Sequence, residues 1–230
     1  MKAVIMAGGL GTRLKPFTHI IPKPLLPVGE KSVLEIVMHK LKSQGFQEII
    51  LAVGYKSDLF ESFFGNGSKF GLSIKYSKEK KRLGTAGPVR LVKDRLDEPF
   101  LVMNGDILTN MDFSKLKKFH KKNQSDFTLV TKKITLPLHY GVVEKNGNNI
   151  LNIQEKPVVE SEVSAGIYFL NPDVIDFIPP NRTFNMPDLM RALLNAHRNV
   201  LAYQLNDYWL DIGQLGDYEQ AQKDFKKGLI

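Results

Sequence analysis

The 230-residue sequence predicts an α/β fold: a Rossmann-like, mixed but mostly parallel sheet flanked by helices on both faces. Two observations carry this. Short apolar runs without polar alternation, KAVIM at 2–6, EIILAV at 48–53 and FLVM at 100–103, read as strands covered on both faces, the pattern of parallel sheets. Stretches of helical periodicity separate them, so successive strands cross over instead of turning back.

Each element has a local reason. KAVIM opens the chain and runs into glycines. Ser32 and Glu35 have the spacing of a capping box, Leu34, Val37, Met38 and Leu41 then repeat at helical intervals, and Gly45 stands where a helix stops. After the strand at 48–53 come a helix over 58–64, a strand over 72–76, a helix from about 88 to 93 and the strand at 100–103. Asp112 is expected to cap SKLKKFHKKN, an amphipathic helix with Leu116 and Phe119 inward and its lysines in water. Beyond Asp126 the pattern changes. FTLVT is a strand, YGVVEKNGNNILNIQEK a hairpin turning at Asn146-Gly147, and SAGIYFL a strand. NPDVIDFI and PDLMRALLNAH follow as helices, VLAYQL as a strand and 217–227 as a closing helix. No linker, repeat or low-complexity segment interrupts the chain, so residues 1–230 read as one domain.

Composition narrows the function classes. With 43% hydrophobic and 24% charged residues the chain reads as soluble and globular. No apolar run approaches the roughly 20 residues of a membrane helix. Residues 3–10 are too short and too rich in glycine for a signal peptide, which makes the cytoplasm the expected location. The absence of cysteine excludes disulfides, thiolate catalysis and cysteine-built metal sites. Lys and Arg number 32 against 24 Asp and Glu, a formal charge of +8. The densest groups are Lys78, Lys80, Lys81 and Arg82, then Lys115, Lys117, Lys118, Lys121 and Lys122. No nucleic-acid motif accompanies them, so they read as solvated surface. The five histidines form no ligand cluster, and Trp209 and Phe17 read as packing residues.

The stretch AGGLGTRLKPFTHIIPKPLLPV, directly after the first strand, combines glycines that admit close backbone approach with cations that neutralise charge, the general recipe for seating phosphate. Neither familiar version fits. A dinucleotide fingerprint starting at Gly9 and Gly11 would need glycine where Leu14 stands, and no glycine precedes a lysine followed by a hydroxyl residue, as a Walker A loop requires.

The loop resembles the signature of the sugar-1-phosphate nucleotidyltransferases, G-G-x-G-T-R-L-x-P-x-T followed by P-K-P-L-x-P-V. LGTAGP (83–88), NGD (104–106), QEKP (154–157), SAGIY (164–168) and WLDIG (209–213) resemble the family's later motifs in the family's order, so essentially the whole catalytic domain is covered. The resemblance implies a nucleotide-binding half over 1–125 and a smaller, β-rich, sugar-phosphate-binding half over 126–230. It further implies a divalent metal, Mg²⁺, and transfer of a nucleotidyl group from a nucleoside triphosphate to a sugar 1-phosphate. Such a phosphomonoester, with a second pKa of about 6, is already dianionic at neutral pH, so the reaction needs positioning and charge neutralisation, not a general base.

On this resemblance Arg13 faces the departing pyrophosphate, Lys23 bridges phosphates near the reaction centre, and both act with Asp106. Ala7, Gly8, Gly9, Gly11, Thr12, Gly84 and Thr85 surround the nucleotide. Asp106 and Asp211 are the expected Mg²⁺ ligands, carboxylates suited to a hard cation. Asn104, Gly141, Glu155, Lys156, Ser164 and Gly166 surround the sugar phosphate, with Ser164 standing where the family usually has Asn. LGTAGP and the nearby Glu79 resemble mannose-1-phosphate guanylyltransferases, though Arg82 replaces their usual Pro. NGD resembles short bacterial enzymes acting on heptose or N-acetylmuramic acid 1-phosphates. The expected pair is GTP with mannose- or heptose-1-phosphate. The alternatives are thymidylyl or uridylyl transfer to glucose-1-phosphate or N-acetylmuramic acid 1-phosphate, and a non-catalytic nucleotide-sugar-binding regulator. The sequence shows no hexapeptide β-helix after its closing helix, so any homo-oligomer is expected to form through the catalytic domain. Partners are small molecules, with neither nucleic acid nor membrane expected.

Overall fold

A computed structural model describes every residue except Tyr55 and Lys80, the latter a member of the first basic cluster. β1 (Lys2–Met6) turns Ala3 and Ile5 to one side and Val4 to the other, all fully buried, as a strand covered on both faces requires. After the glycine-rich loop, the short ribbon β2 (Pro27–Val28) and β3 (Lys31–Ser32) leads into α1 (Val33–Ser43). The Ser32 hydroxyl accepts from the Glu35 amide at 3.2 Å, and Gly45 takes a left-handed φ of 81° just beyond the helix, so both ends stop as their residues dictate. β4 (Glu48–Val53), α2 (Ser57–Phe64) and β5 (Ser73–Lys78) follow.

The next helix is shorter than its sequence suggests. α3 is one turn (Gly87–Arg90), and residues 93–95 form a separate 3-10 turn. β6 (Phe100–Asn104) and β7 (Ile107–Thr109) flank a tight turn, and Asp112 caps α4 (Phe113–Lys122) by accepting from the amides of Ser114 and Lys115. Leu116 and His120 are buried under α4, and its five lysines face water.

β8 (Phe127–Pro137) and β11 (Val158–Leu170) are far longer than FTLVT and SAGIYFL alone indicate. Their outer halves run past the sheet as a two-stranded ribbon ending in the hairpin β9 (Val142–Asn146) and β10 (Asn149–Gln154), whose turn residues are Gly147 and Asn148. NPDVIDFI forms a 3-10 helix over 172–177. α5 (Met186–Asn195), β12 (Val200–Gln204), β13 (Trp209–Asp211) and α6 (Leu215–Lys226) complete the chain.

The main sheet has seven strands in the order β12-β8-β11-β6-β1-β4-β5. β6, β1, β4 and β5 are mutually parallel, β11 runs antiparallel between β6 and β8, and β12 is parallel to β8. One core joins Ile5, Leu51 and Met103 to α1, α2, α4 and α6; the other joins Val4, Ile50 and Val102 to α3 and α5. The carboxyl ends of β1, β4 and β6 open onto one edge, where open α/β sheets bind ligands. No helix among the described residues is long and apolar enough to cross a membrane.

Candidate active site

At that edge lies a cavity of about 480 Å³, lined by residues 6–13 of the glycine-rich loop and by Lys23, Glu79, Arg82, Gly84, Thr85, Asn104, Asp106 and Gly213. The loop is pinned at both ends. The Ala7 amide donates to Ala52 O at 2.8 Å, and Gly11, at a left-handed φ of 60°, presents its carbonyl to the Leu14 amide and the Thr18 hydroxyl. A Cβ at Gly11 would meet Thr18 Cγ2 at 2.7 Å, so the fold itself demands glycine there. Gly9 differs: a Cβ would meet nothing within 4 Å. Packing does not explain that glycine, and the space beside it belongs to the cavity.

Two distant segments bring the acids together. β7 and β13 pair antiparallel with Ile107 opposite Asp211, and Ile212 donates to Asp106 O at 3.1 Å. Between the carboxylates reaches Lys23, held in a buried 3-10 turn (Lys23–Leu25), with Nζ 2.5 Å from Asp106 Oδ2 and 3.8 Å from Asp211 Oδ1. One oxygen of each acid, Asp106 Oδ1 and Asp211 Oδ1, is buried without a hydrogen-bond partner among the described residues. Burial, reinforced by the neighbouring Asp106 charge, raises the Asp211 carboxyl above its ordinary value; Lys23 and Arg13 act in the opposite sense. Among the described residues no three or more of His, Cys, Asp and Glu gather into one group, here or elsewhere. Carboxylate oxygens of this kind, hard donors without a hydrogen-bond partner, are what Mg²⁺ takes from a protein.

Arg13 is exposed at the rim and lies over Gly213, where an added Cβ would stand 3.4 Å from a guanidinium nitrogen. That turn is fixed by Asp217, which accepts from the amides of Gly213 and Gln214 at 3.0 and 2.9 Å. Asp217 is a positioning residue that sequence reasoning left out, although its spacing from Gln214 carries the capping-box signal.

At the opposite end, Gly84 (φ 81°) and Thr85 are stitched to the segment before α5. A Cβ on Gly84 would meet Phe184 O at 2.6 Å, the Thr85 amide donates to Asn185 Oδ1, and its hydroxyl accepts from the Met186 amide. Glu79 lies deeper: its Oε2 accepts from the Leu83 amide at 3.0 Å, while Oε1 sits 2.9 Å from where Gly8 and Gly54 would carry Cβ atoms. Arg82, read from sequence as solvated surface, lines this end as well.

The sugar-side residues divide into two groups. Asn104 lines the cavity, and Gly166 (φ 67°) lies against it, where a Cβ would meet Asn104 Nδ2 at 2.6 Å. Ser164 bonds the Gly166 amide and the Tyr168 hydroxyl at 3.3 Å each, and Trp209 packs here by donating to Ala165 O. Gly141, Glu155 and Lys156 lie on the ribbon and do not line the cavity. Glu155 borders Gly141, and Lys156 holds a strained φ of 46° with Nζ 3.9 Å from Glu155. Phe17 is half-exposed against Tyr218, so it contributes little packing.

A glycine-rich loop, buried and exposed cations, and a carboxylate pair at the carboxyl edge of an open sheet are the chemistry with which α/β proteins seat phosphates. The chain belongs to the Nucleotidyl transferase family, whose sequence profile matches residues 2–228. It is 38% identical over 226 residues to mannose-1-phosphate guanyltransferase of Yarrowia lipolytica, covering 95% of this chain and 62% of that protein. It is 36% identical over 241 residues to UTP–glucose-1-phosphate uridylyltransferase of Synechocystis, covering 96% and 62%. The chain therefore spans about 62% of the length of these curated relatives. Among solved structures, HddC of Yersinia pseudotuberculosis complexed with GMP-PN superimposes with a TM-score of 0.78 at 27% identity, covering 97% of this chain and 99% of that one.

Proposed function

We propose that this chain transfers a nucleotidyl group from a nucleoside triphosphate to a sugar 1-phosphate, releasing pyrophosphate, with GTP and mannose- or heptose-1-phosphate as the substrate pair. The observation that carries the reading is the convergence of Lys23 with Asp106 and Asp211 beside a glycine loop that leaves open space at Gly9. Asp106 and Asp211 would hold Mg²⁺ through their unpartnered oxygens, and the ion, when bound, supplies charge neutralisation for the phosphates.

The chain's own groups do the rest. Backbone amides of residues 8–11 and the Arg13 guanidinium hold the β- and γ-phosphates. Lys23, released from Asp106, neutralises the α-phosphate. An oxygen of the sugar phosphate then bonds to the α-phosphorus while the bond from that phosphorus to the α–β bridging oxygen breaks, and pyrophosphate leaves with the electron pair. No proton is removed, because the attacking phosphate is already dianionic. A cation about 4 Å from a phosphate oxygen contributes roughly 4 kcal/mol at an effective dielectric of 20, and an oxygen gaining charge gains most from it.

Glu79 supports the choice of guanine. A carboxylate accepts only, and guanine alone among the common bases presents two adjacent donors, N1–H and N2–H, on its pairing edge. The 36% identical uridylyltransferase keeps uridylyl transfer as the second reading. The test is a grid of nucleoside triphosphates against mannose, heptose, glucose and N-acetylmuramic acid 1-phosphates, with pyrophosphate release as readout. Turnover is expected to be fastest with GTP. No release with any pair, in the presence of Mg²⁺, would refute the reading.

A further inference from the structure

We infer that Arg82 reads the base of the nucleotide, its guanidinium donating to the O6 and N7 acceptors of guanine while Glu79 takes the N1–H and N2–H donors. The inference deepens the guanine reading above and rests on it.

The backbone around Arg82 is clamped. The Leu83 amide donates to Glu79 Oε2 at 3.0 Å, Arg82 O accepts from the Thr183 hydroxyl at 3.0 Å, and Leu83 O accepts from the Phe184 amide at 2.8 Å. Leu83 is buried, and Gly84 follows at a left-handed φ with no room for a Cβ. None of these constraints uses the Arg82 side chain. It is exposed on the cavity wall and makes no hydrogen bond or ion pair with a described residue. Lys78, from the same basic cluster, instead pairs with Glu61 at 2.5 Å. The fold therefore fixes the position of Arg82 without using its guanidinium, a rigid fork of five donors.

Glu79 and Arg82 carry opposite charges three residues apart, yet they do not meet. Glu79 turns Oε2 to the Leu83 amide and Oε1 toward Gly8 and Gly54, and Oε1 accepts from no described residue. One short segment of wall thus presents an acceptor-only group and a donor-only group side by side. The ligand edge that fits them carries donors followed by acceptors. Guanine has that edge: N2–H and N1–H, then O6 and N7, and the last two are the atoms that arginine binds with both arms of its fork. Adenine places an amino donor where guanine has O6, and pyrimidines have no N7. A phosphate would also attract a guanidinium. Lys23 and Arg13, however, stand with the acidic pair and Gly213 at the opposite end of the cavity, which is where the triphosphate is drawn.

Equilibrium binding tests the inference apart from the reaction. Calorimetric titration of wild type and Arg82→Ala with GTP and with 7-deaza-GTP, in which carbon replaces N7, reads the contact as one ratio. The wild type is expected to bind GTP about tenfold more tightly than 7-deaza-GTP. Arg82→Ala is expected to bind the two alike, at an unchanged melting temperature. An equal loss for both nucleotides on substitution would assign Arg82 to phosphate and overturn the inference, as would a wild type that binds both alike. Pyrophosphate release separates this from the wider reading. GTP bound with the expected ratio but never turned over refutes nucleotidyl transfer alone. Turnover of GTP with a ratio that Arg82→Ala leaves unchanged refutes the role of Arg82 alone.

Discussion

Replacing Lys23 by Met removes the ammonium between Asp106 and Asp211 while keeping most of the side-chain volume. The ammonium is 2.5 Å from one carboxylate and 3.8 Å from the other, and Lys23 itself is only 8% exposed. Two charges about 4 Å apart interact by roughly 4 kcal/mol at an effective dielectric of 20. The open cleft hydrates both acids in part, so the net loss falls between that of a surface pair and that of a buried one, about 2 kcal/mol. In a chain of this size each kcal/mol moves the melting temperature by about 2–4 °C, so a fall of about 4–8 °C is expected without divalent metal. Mg²⁺ is then expected to restore most of the loss in Lys23→Met, because it replaces the missing cation, and to raise the wild type far less. Scanning fluorimetry of both proteins with EDTA and with Mg²⁺ reads this directly. A melting temperature indistinguishable from wild type in EDTA, or equal metal-induced shifts in the two proteins, would refute the view that Lys23 and the metal share one acidic pair.

Other perturbations probe separate parts of the account. Gly9→Ala is expected to leave thermal stability unchanged, because an added Cβ meets nothing within 4 Å, but to raise the KM for the triphosphate severalfold in steady-state kinetics. Glu79→Gln is expected to lower the preference for GTP over ITP, which lacks the 2-amino group, by about tenfold, the 1–2 kcal/mol of a charge-assisted hydrogen bond; an unchanged GTP/ITP ratio of kcat/KM would remove Glu79 from base recognition. Burial holds the His120 imidazole below its ordinary 6.5, against the Asn171 hydrogen bond and the Asp126 charge. The unfolded chain then takes up that proton first, so stability is full above pH 6.5 and falls as pH drops through the lower folded value. Melting curves from about pH 8 to pH 5 are expected to show this loss in the wild type and a smaller one in His120→Asn.

The first half of the fold was legible because β1, β4 and β6 are covered on both faces. Runs such as KAVIM and EIILAV announce themselves, and Ser32, Gly45 and Asp112 stop and start helices through their own chemistry. Legibility failed where tertiary contacts decide. Gly87–Arg90 stops after one turn although its sequence continues to look helical, and a separate 3-10 turn follows at 93–95. The outer halves of β8 and β11 mix Lys, Thr and Glu with apolar residues, so neither reads as a buried run, and their pairing is non-local. Within the site, the glycine loop and the identities of Lys23, Asp106 and Asp211 could be named from motif wording. That one ammonium lies between both carboxylates could not, because three segments separated by about a hundred residues each create that geometry. Glu79 was visible only as an acidic residue near LGTAGP; its place against Gly8 and Gly54 follows from the parallel β4–β5 pairing.

A crystal of the chain grown with Mg²⁺ and a non-hydrolysable GTP analogue tests the central claim most directly. The account requires the triphosphate to lie along residues 8–13, with Lys23 Nζ moved from Asp106 onto a phosphate oxygen and metal density joining Asp106 and Asp211 to the phosphates. A triphosphate bound elsewhere, or Lys23 still seated between the two aspartates with nucleotide in place, would contradict it.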